Sequence, residues 1–143
     1  MEISTIGFTR TSAQSFFDRL ASARVTEVWD VRLNKVSQLA GFAKRDDLGF
    51  FLDRLCGIAY REVPELAPSP ELLTAYRSKA LSWQDYSTGY LELIRARRIE
   101  SRLEPRDTVV ALLCSEETPV QCHRRLAAEY LQRHWPSATI RHL

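Results

Sequence analysis

The residue types best suited to chemistry are concentrated in two short segments that follow one apolar run. The run TVVALL leads directly to Cys114, and the polar loop after it carries Glu116. Eight positions beyond Cys114, the segment Cys122-His123-Arg124 opens an amphipathic stretch. A thiol supplies a nucleophile, an imidazole moves protons, and an arginine clasps an anion with two hydrogen bonds. The spacing predicts a strand, a loop and a helix that together form a thiol site for an anionic substrate.

Two further predicted strand ends carry charged groups. Asp30-Val31-Arg32 closes the second strand, and Glu65 follows Pro64 at the end of the third. Because the carboxyl ends of parallel strands meet at one edge of a sheet, we expect these groups beside Cys114. Asp30 and Arg32 form either an ion pair that closes the edge or an acid next to an anion-binding arginine. Arg124 likewise either binds an anion or pairs with Glu116 or Asp30 and pins the loop to the sheet.

Metal and redox chemistry are the alternatives for the same thiols. Cys114, Cys122 and His123 are soft ligands, but structural zinc sites usually have closely spaced cysteine pairs and a fourth ligand. The sequence offers neither a CxxC pair nor an obvious fourth ligand, so we expect no metal ion and no cofactor. A reversible disulfide between Cys114 and Cys122 stays open. The third cysteine, Cys56, lies on an apolar helical stripe and is predicted to be inert packing.

Alternating strand and helix patterns predict the elements that position these groups. Thr11 with Gln14 forms a capping box for the first helix, Asp46 or Asp47 begins the second, and Gly57 ends it. Ser69 and Ser82 cap a helical pair that covers the sheet edge or forms a pocket wall. The segment 33–44 is a substrate-covering lid or a plain connection. The strands are predicted at 3–8, 25–31, 58–63, 108–114 and 138–143, with 108–114 central because it is apolar throughout.

These patterns predict one α/β domain over residues 1–143. It has a mainly parallel five-stranded sheet with helices on both faces, a three-layer Rossmann-like or flavodoxin-like arrangement.

Composition narrows the class of protein. The chain has 143 residues, of which 45% are hydrophobic and 27% charged, as in one globular domain. No apolar run reaches the length of a membrane span and no leader pattern opens the chain, so we expect a cytoplasmic protein without a membrane partner. Three cysteines suit reduced thiols better than a disulfide framework. A net charge of +2 does not by itself indicate nucleic-acid binding.

Five short motifs are distinctive in combination: Thr5-Ile6-Gly7, Asp30-Val31-Arg32, Pro64-Glu65-Leu66, Leu113-Cys114-Ser115-Glu116 and Cys122-His123-Arg124. Together they resemble a bacterial and archaeal family, domain of unknown function 488. The resemblance runs along essentially the whole chain, and the family implies a three-layer α/β domain with a shared site but no established reaction. The chain departs from common members at 36–42 and at Ala67-Pro68, which indicates a distinct subgroup.

A fainter similarity is to rhodanese-like domains, which also place Asp-Val-Arg at one strand end and a cysteine at another. Arg124 lies ten positions past Cys114, too far for the short anion-binding loop of those domains, and the glycine-rich cradle is missing. Sulfur transfer is therefore not favoured.

The residues favour an enzyme that acts on a phosphate- or carboxylate-bearing small molecule, a nucleotide or a nucleic-acid end. The reaction class (transfer, hydrolysis or redox), the oligomeric state and any partner protein stay open. The alternative is a non-catalytic module that binds a nucleotide or nucleic acid through the same arginines. The predicted roles are Cys114 as nucleophile or redox thiol, His123 as proton carrier, Asp30, Glu65 and Glu116 as orienting groups or base, and Arg32, Arg124 and Cys122 as anion-binding groups.

Overall fold

A parallel five-stranded sheet forms the middle layer of the protein. The computed structural model describes residues 1–36 and 40–143. The strand order is β3-β2-β4-β1-β5, and every neighbouring pair is parallel. This confirms the predicted fold class. The strands are β1 Glu2–Ile6, β2 Glu27–Asp30, β3 Ala59–Glu62, β4 Val109–Leu113 and β5 Thr139–His142.

Helices cover both faces of the sheet. One buried cluster joins side chains of α1 and α2 to one face, and a second joins α4, α5 and α6 to the other. Within residues 1–36 and 40–143, no helix is long and apolar enough to cross a lipid bilayer. The helices are α1 Ala13–Ser22, α2 Arg45–Phe51, α3 Pro70–Arg77, α4 Trp83–Ala96, α5 Ile99–Arg102 and α6 His123–His134.

Strand β4 is central, as its apolar sequence predicts. It lies between β1 and β2, and successive residues face opposite layers: Val110 and Leu112 join one cluster, Ala111 and Leu113 the other. The backbone N–H of Cys114 donates to the carbonyl of Ile6 at 3.1 Å, which continues the sheet pairing one residue beyond the strand. Cys114 therefore leaves the sheet at its middle, where neighbouring strands end on both sides.

Two predicted helix starts are corrected by the structure. Ser12, not Thr11, caps α1, since the Ser12 hydroxyl accepts from the N–H of Ser15 whereas the Thr11 hydroxyl donates to the carbonyl of Thr9. Helix α2 begins at Arg45, one residue before the predicted aspartates. The caps at Ser69 and Ser82 are confirmed.

The second helix does not keep its predicted apolar stripe to the end. Residues Leu52–Cys56 form a π turn, which holds more residues than an α turn and so rotates the last side chains off the buried face. Leu55 is 64% exposed, and Cys56 is only half-buried. Gly57, with φ +63°, ends the helix as predicted. Of the segment 33–44, predicted as a lid or connection, residues 37–39 lie outside the described residues, and 41–43 form a short 3₁₀ turn.

Gly7, just beyond β1, permits a close approach of two main chains. A Cβ added there would lie 1.7 Å from the carbonyl oxygen of Glu116 in the loop after β4. Gly7→Ala must displace this loop, so we expect the free energy of unfolding to fall by about 1–3 kcal/mol or more in chemical denaturation. Gly49→Ala is the matched control: its nearest neighbour, Tyr60, is at 3.6 Å, and a helical alanine should stabilise by about 0.5–1 kcal/mol. Equal stability of Gly7→Ala and wild type would contradict this packing.

Candidate functional site

A thiol and an imidazole meet where β4 ends and α6 begins. The Sγ of Cys114 lies 3.8 Å from the Nδ1 of His123, the first residue of α6. The Nε2 of His123 lies 2.8 Å from the carbonyl oxygen of Val31, at the end of β2. A carbonyl only accepts, so Nε2 carries the hydrogen and Nδ1 is directed to the sulfur. Three strand and helix ends thus fix the geometry of one Cys–His pair.

The second cysteine completes a compact trio. The sulfurs of Cys114 and Cys122 and the Nδ1 of His123 all lie within 4.8 Å of one another, and all three residues are buried. A hydrogen bond from the Cys122 thiol, together with the charge of His123, lowers the pKa of Cys114 well below its usual value although the sulfur is buried. The same hydrogen bond and burial raise the pKa of Cys122. Of the two thiols, Cys114 therefore has the lower pKa.

The pKa of the His123 imidazole shifts upward, in the opposite direction to that of the Cys114 thiol. Burial favours its neutral form, but the charge and hydrogen bond of Cys114 outweigh burial and raise the pKa of His123. Each of the two residues therefore favours the charged form of the other.

Asp30 and Arg32 form a buried ion pair. Such a pair was one of the two arrangements that the sequence predicted for these residues. The Nε and Nη2 of Arg32 donate to the two carboxylate oxygens of Asp30 at 2.9 and 2.7 Å, and the Tyr60 hydroxyl donates to the same carboxylate at 2.6 Å. Burial opposes the charge on Arg32, but Asp30 outweighs it and raises the pKa of Arg32. Both carboxylate oxygens of Asp30 are already engaged, so Asp30 orients Arg32 and is not free to act as a base.

One nitrogen of Arg32 has no hydrogen-bond partner in the part of the chain that the structure describes. Arg32 is 3% exposed, and its Nη1 finds no hydrogen-bond acceptor among residues 1–36 and 40–143. The residue lines the same cavity as Cys114. A buried cationic donor without an acceptor is destabilising unless a ligand supplies the acceptor.

Arg124 lies deeper than the sequence predicts for an anion-binding residue. Its side chain is completely buried, and its Nη1 donates to the carbonyl of Glu116 at 2.7 Å and to the Sγ of Cys122 at 3.4 Å. It is not among the residues that line the cavity beside Cys114. Arg124 therefore positions the loop after β4 and the Cys122 thiol.

The two predicted glutamates differ in position. The side chain of Glu116 is exposed and lies at the rim of the cavity, so it remains available to a substrate. Its carbonyl, not its carboxylate, holds Arg124. Glu65 is half-buried outside that cavity, and its carbonyl accepts from the Nη1 of Arg97 at 2.8 Å. The structure thus gathers the strand-end groups around Cys114 but leaves Glu65 apart.

The helical pair α3–α4 forms one wall of the cavity beside Cys114. A pocket wall was one of the two roles that the sequence predicted for this pair. Tyr76 and Arg77 of α3 and Tyr86 of α4 line a cavity of about 80 Å³ that also contains Cys114 and His123. The ring of Tyr86 stacks on that of Tyr90, which in turn lies 5.4 Å from the His123 ring. Wider grooves on the surface, such as the one lined by Arg19 and His142, do not contain Cys114.

Sequence reasoning missed three contributors to this site. The Val31 carbonyl has no side-chain signature, so only the folded backbone shows its role. Tyr76 and Arg77 lie on the helix that the sequence predicted as a possible pocket wall, but neither residue was itself predicted to take part in the site. The aromatic and basic residues of this short amphipathic segment were the sequence signal that could have identified them.

The trio of Cys114, Cys122 and His123 also has the donor types that bind zinc. The three candidate ligand atoms are close enough to share one ion, and the hydrogen bond of Nε2 to Val31 is the kind of support that metal-bound histidines have. Within the part of the chain that the structure describes, no fourth histidine, cysteine or carboxylate joins them.

Fold and site together define a class: a single α/β unit with a parallel sheet and a Cys–His pair at its carboxyl edge. Over residues 12–131 the chain matches the family described as Domain of unknown function DUF488, and it belongs to that family. This confirms the resemblance seen in the sequence motifs. No curated protein and no solved structure gives a significant match. The family description names no reaction, so the chemistry has to be argued from the side chains.

Proposed function

We propose that this protein is an enzyme that uses the Cys114 thiolate as a nucleophile on a small anionic substrate. The observation that carries the proposal is the pairing of Cys114 with an imidazole whose second nitrogen is fixed on the Val31 carbonyl. A nucleophilic cysteine requires a base within hydrogen-bond reach and a third group that orients the base. His123 accepts the thiol proton and returns it to the leaving group or product.

Arg32 supports an anionic substrate, because it lines the same cavity as Cys114 and its Nη1 has no acceptor among residues 1–36 and 40–143. Asp30 holds the guanidinium rigidly, which leaves Nη1 to donate to a phosphate, carboxylate or similar oxygen. Glu116 at the rim is then the remaining candidate for a second acid or base. A cavity of about 80 Å³ admits only a small molecule or the end of a larger one.

A non-catalytic module that binds nucleic acid through the same arginines has less support. Arg32 and Arg124 are buried, and each already donates to a protein acceptor. Binding to a phosphate backbone uses exposed basic side chains that displace counterions. Such a module would also have no use for the thiol–imidazole geometry.

The proposal is tested by alkylation of the wild-type protein with iodoacetamide over a pH series, with each cysteine followed by peptide mass spectrometry. We expect Cys114 to react well below pH 8, at a rate that falls when inorganic phosphate or sulfate occupies Arg32. Cys56 is the internal control, because burial and the nearby Asp18 raise its thiol pKa. A Cys114 that reacts no faster than Cys56 at neutral pH would contradict the proposal.

A further inference from the structure

The proposed function leaves a second buried thiol, Cys122, without a chemical step of its own. Its sulfur lies no more than 4.8 Å from that of Cys114, and both residues line the same cavity. Cys122 is the residue before α6 and has an extended backbone, so the helix does not constrain its side chain as it would an interior residue. A disulfide requires the sulfurs to approach to about 2.05 Å. Disulfide formation therefore requires the two sulfurs to come closer together than they are in this structure.

We propose that the site also reduces a small hydroperoxide, with Cys114 as the attacking thiol and Cys122 as the thiol that resolves the oxidised product into a disulfide. The inference rests on the proposed function, since both assign the nucleophile to Cys114. It goes further in naming a substrate class and a role for Cys122.

The reaction proceeds in two balanced steps. In the first, the Cys114 thiolate attacks one peroxide oxygen: an S–O bond forms, the O–O bond breaks, and the departing alkoxide or hydroxide takes a proton from His123. In the second, the Cys122 sulfur attacks the sulfenic acid on Cys114: an S–S bond forms, the S–O bond breaks, and water leaves with the Cys122 proton. Two thiols are oxidised and one peroxide is reduced. A small-molecule dithiol restores both thiols.

The surroundings of the two sulfurs suit this chemistry. The cavity accommodates a molecule as small as hydrogen peroxide. Protonated His123 and the unpaired Nη1 of Arg32 are donors for the oxygens on which negative charge develops. The Nη1 of Arg124 holds the Cys122 sulfur at 3.4 Å, so the second thiol is already oriented before oxidation.

The experiment treats the 143-residue chain with hydrogen peroxide in a chelating buffer, blocks free thiols and maps the peptides. No lysine or arginine lies between Asp107 and His123, so trypsin releases both cysteines in the single peptide 107–124. The expected disulfide lowers the mass of this peptide by two hydrogens. Cleavage after Glu116 or Glu117 then separates the two cysteines, which stay joined until dithiothreitol is added.

Two conservative variants assign the roles. In Cys122→Ser, which keeps a hydroxyl to donate to Cys114, we expect a sulfenic acid at Cys114 that dimedone traps. In Cys114→Ser, we expect Cys122 to stay reduced under the same conditions. Wild-type protein whose Cys114 reacts with iodoacetamide but forms no bond to Cys122 overturns this inference and leaves the proposed function standing. Failure of Cys114 to react with either reagent overturns both.

Discussion

His123→Gln is expected to slow the alkylation of Cys114 at pH 7 about tenfold or more. The substitution removes the cation that faces the sulfur at 3.8 Å, so the thiol loses part of the stabilisation of its charged form. Without this stabilisation the pKa of the Cys114 thiol rises, so less thiolate is present at any pH below that pKa. The measurement is the pH midpoint of the alkylation rate, which we expect to move upward by about one unit, equivalent to about 1.4 kcal/mol.

The matched control is His134→Gln, at the opposite end of the same helix. The Nδ1 of His134 lies 3.0 Å from the carbonyl oxygen of Tyr130, at the far end of α6 from Cys114, so its loss should leave the Cys114 midpoint unchanged. His123→Asn repeats the test with a shorter side chain, and circular dichroism verifies that both variants are folded. An unchanged midpoint in folded His123→Gln would show that the imidazole does not stabilise the thiolate.

Asp30→Asn is expected to lower the free energy of unfolding by about 3–5 kcal/mol. The carboxylate is completely buried and accepts two hydrogen bonds from the Arg32 side chain, one from the Arg32 backbone N–H and one from Tyr60. Its neutralisation leaves the Arg32 charge buried without a counterion, which is far more costly than the loss of one hydrogen bond. Urea denaturation with linear extrapolation measures the change.

Glu129→Gln is the control, because it makes the same carboxylate-to-amide change in the partly exposed ion pair of Glu129 with Arg125. The two groups are 3.6 Å apart on the surface of α6, so the expected loss is at most about 0.5 kcal/mol. Adding Arg32→Met to Asp30→Asn removes the orphaned charge and should restore part of the stability. Equal effects of Asp30→Asn and Glu129→Gln would contradict the buried pair.

The fold was predictable because its local signals agree with its global arrangement. The apolar run before Cys114 indicated a central strand, and strand β4 indeed lies in the middle of the sheet. The serines at 69 and 82 indicated helix starts, since their side chains satisfy free N–H groups there. The end of α2 was not predictable, because a π turn breaks the 3.6-residue period on which the stripe at Leu55 depends.

The grouping of most strand-end residues was predictable, but the role of each group was not. The ends of parallel strands lie at one edge whatever their sequence, so Asp30, Arg32 and Cys114 could be placed together, whereas Glu65 lies apart from them. Sequence could not decide how Asp30 is used, because that depends on the rotamer of Arg32 and on Tyr60 from a neighbouring strand. For Arg124 the sequence left anion binding and loop pinning open, and the buried side chain holds the carbonyl of Glu116.

Cys114 should exist as a thiolate near neutral pH, and an ultraviolet titration of thiolate absorbance measures this directly. The Cys56→Ser variant removes the half-buried third cysteine, and its difference from the Cys56→Ser/Cys114→Ser double variant isolates one thiol. We expect this thiolate to appear with a midpoint clearly below the usual value of about 8.5. A midpoint at or above that value, in a folded protein, would contradict it.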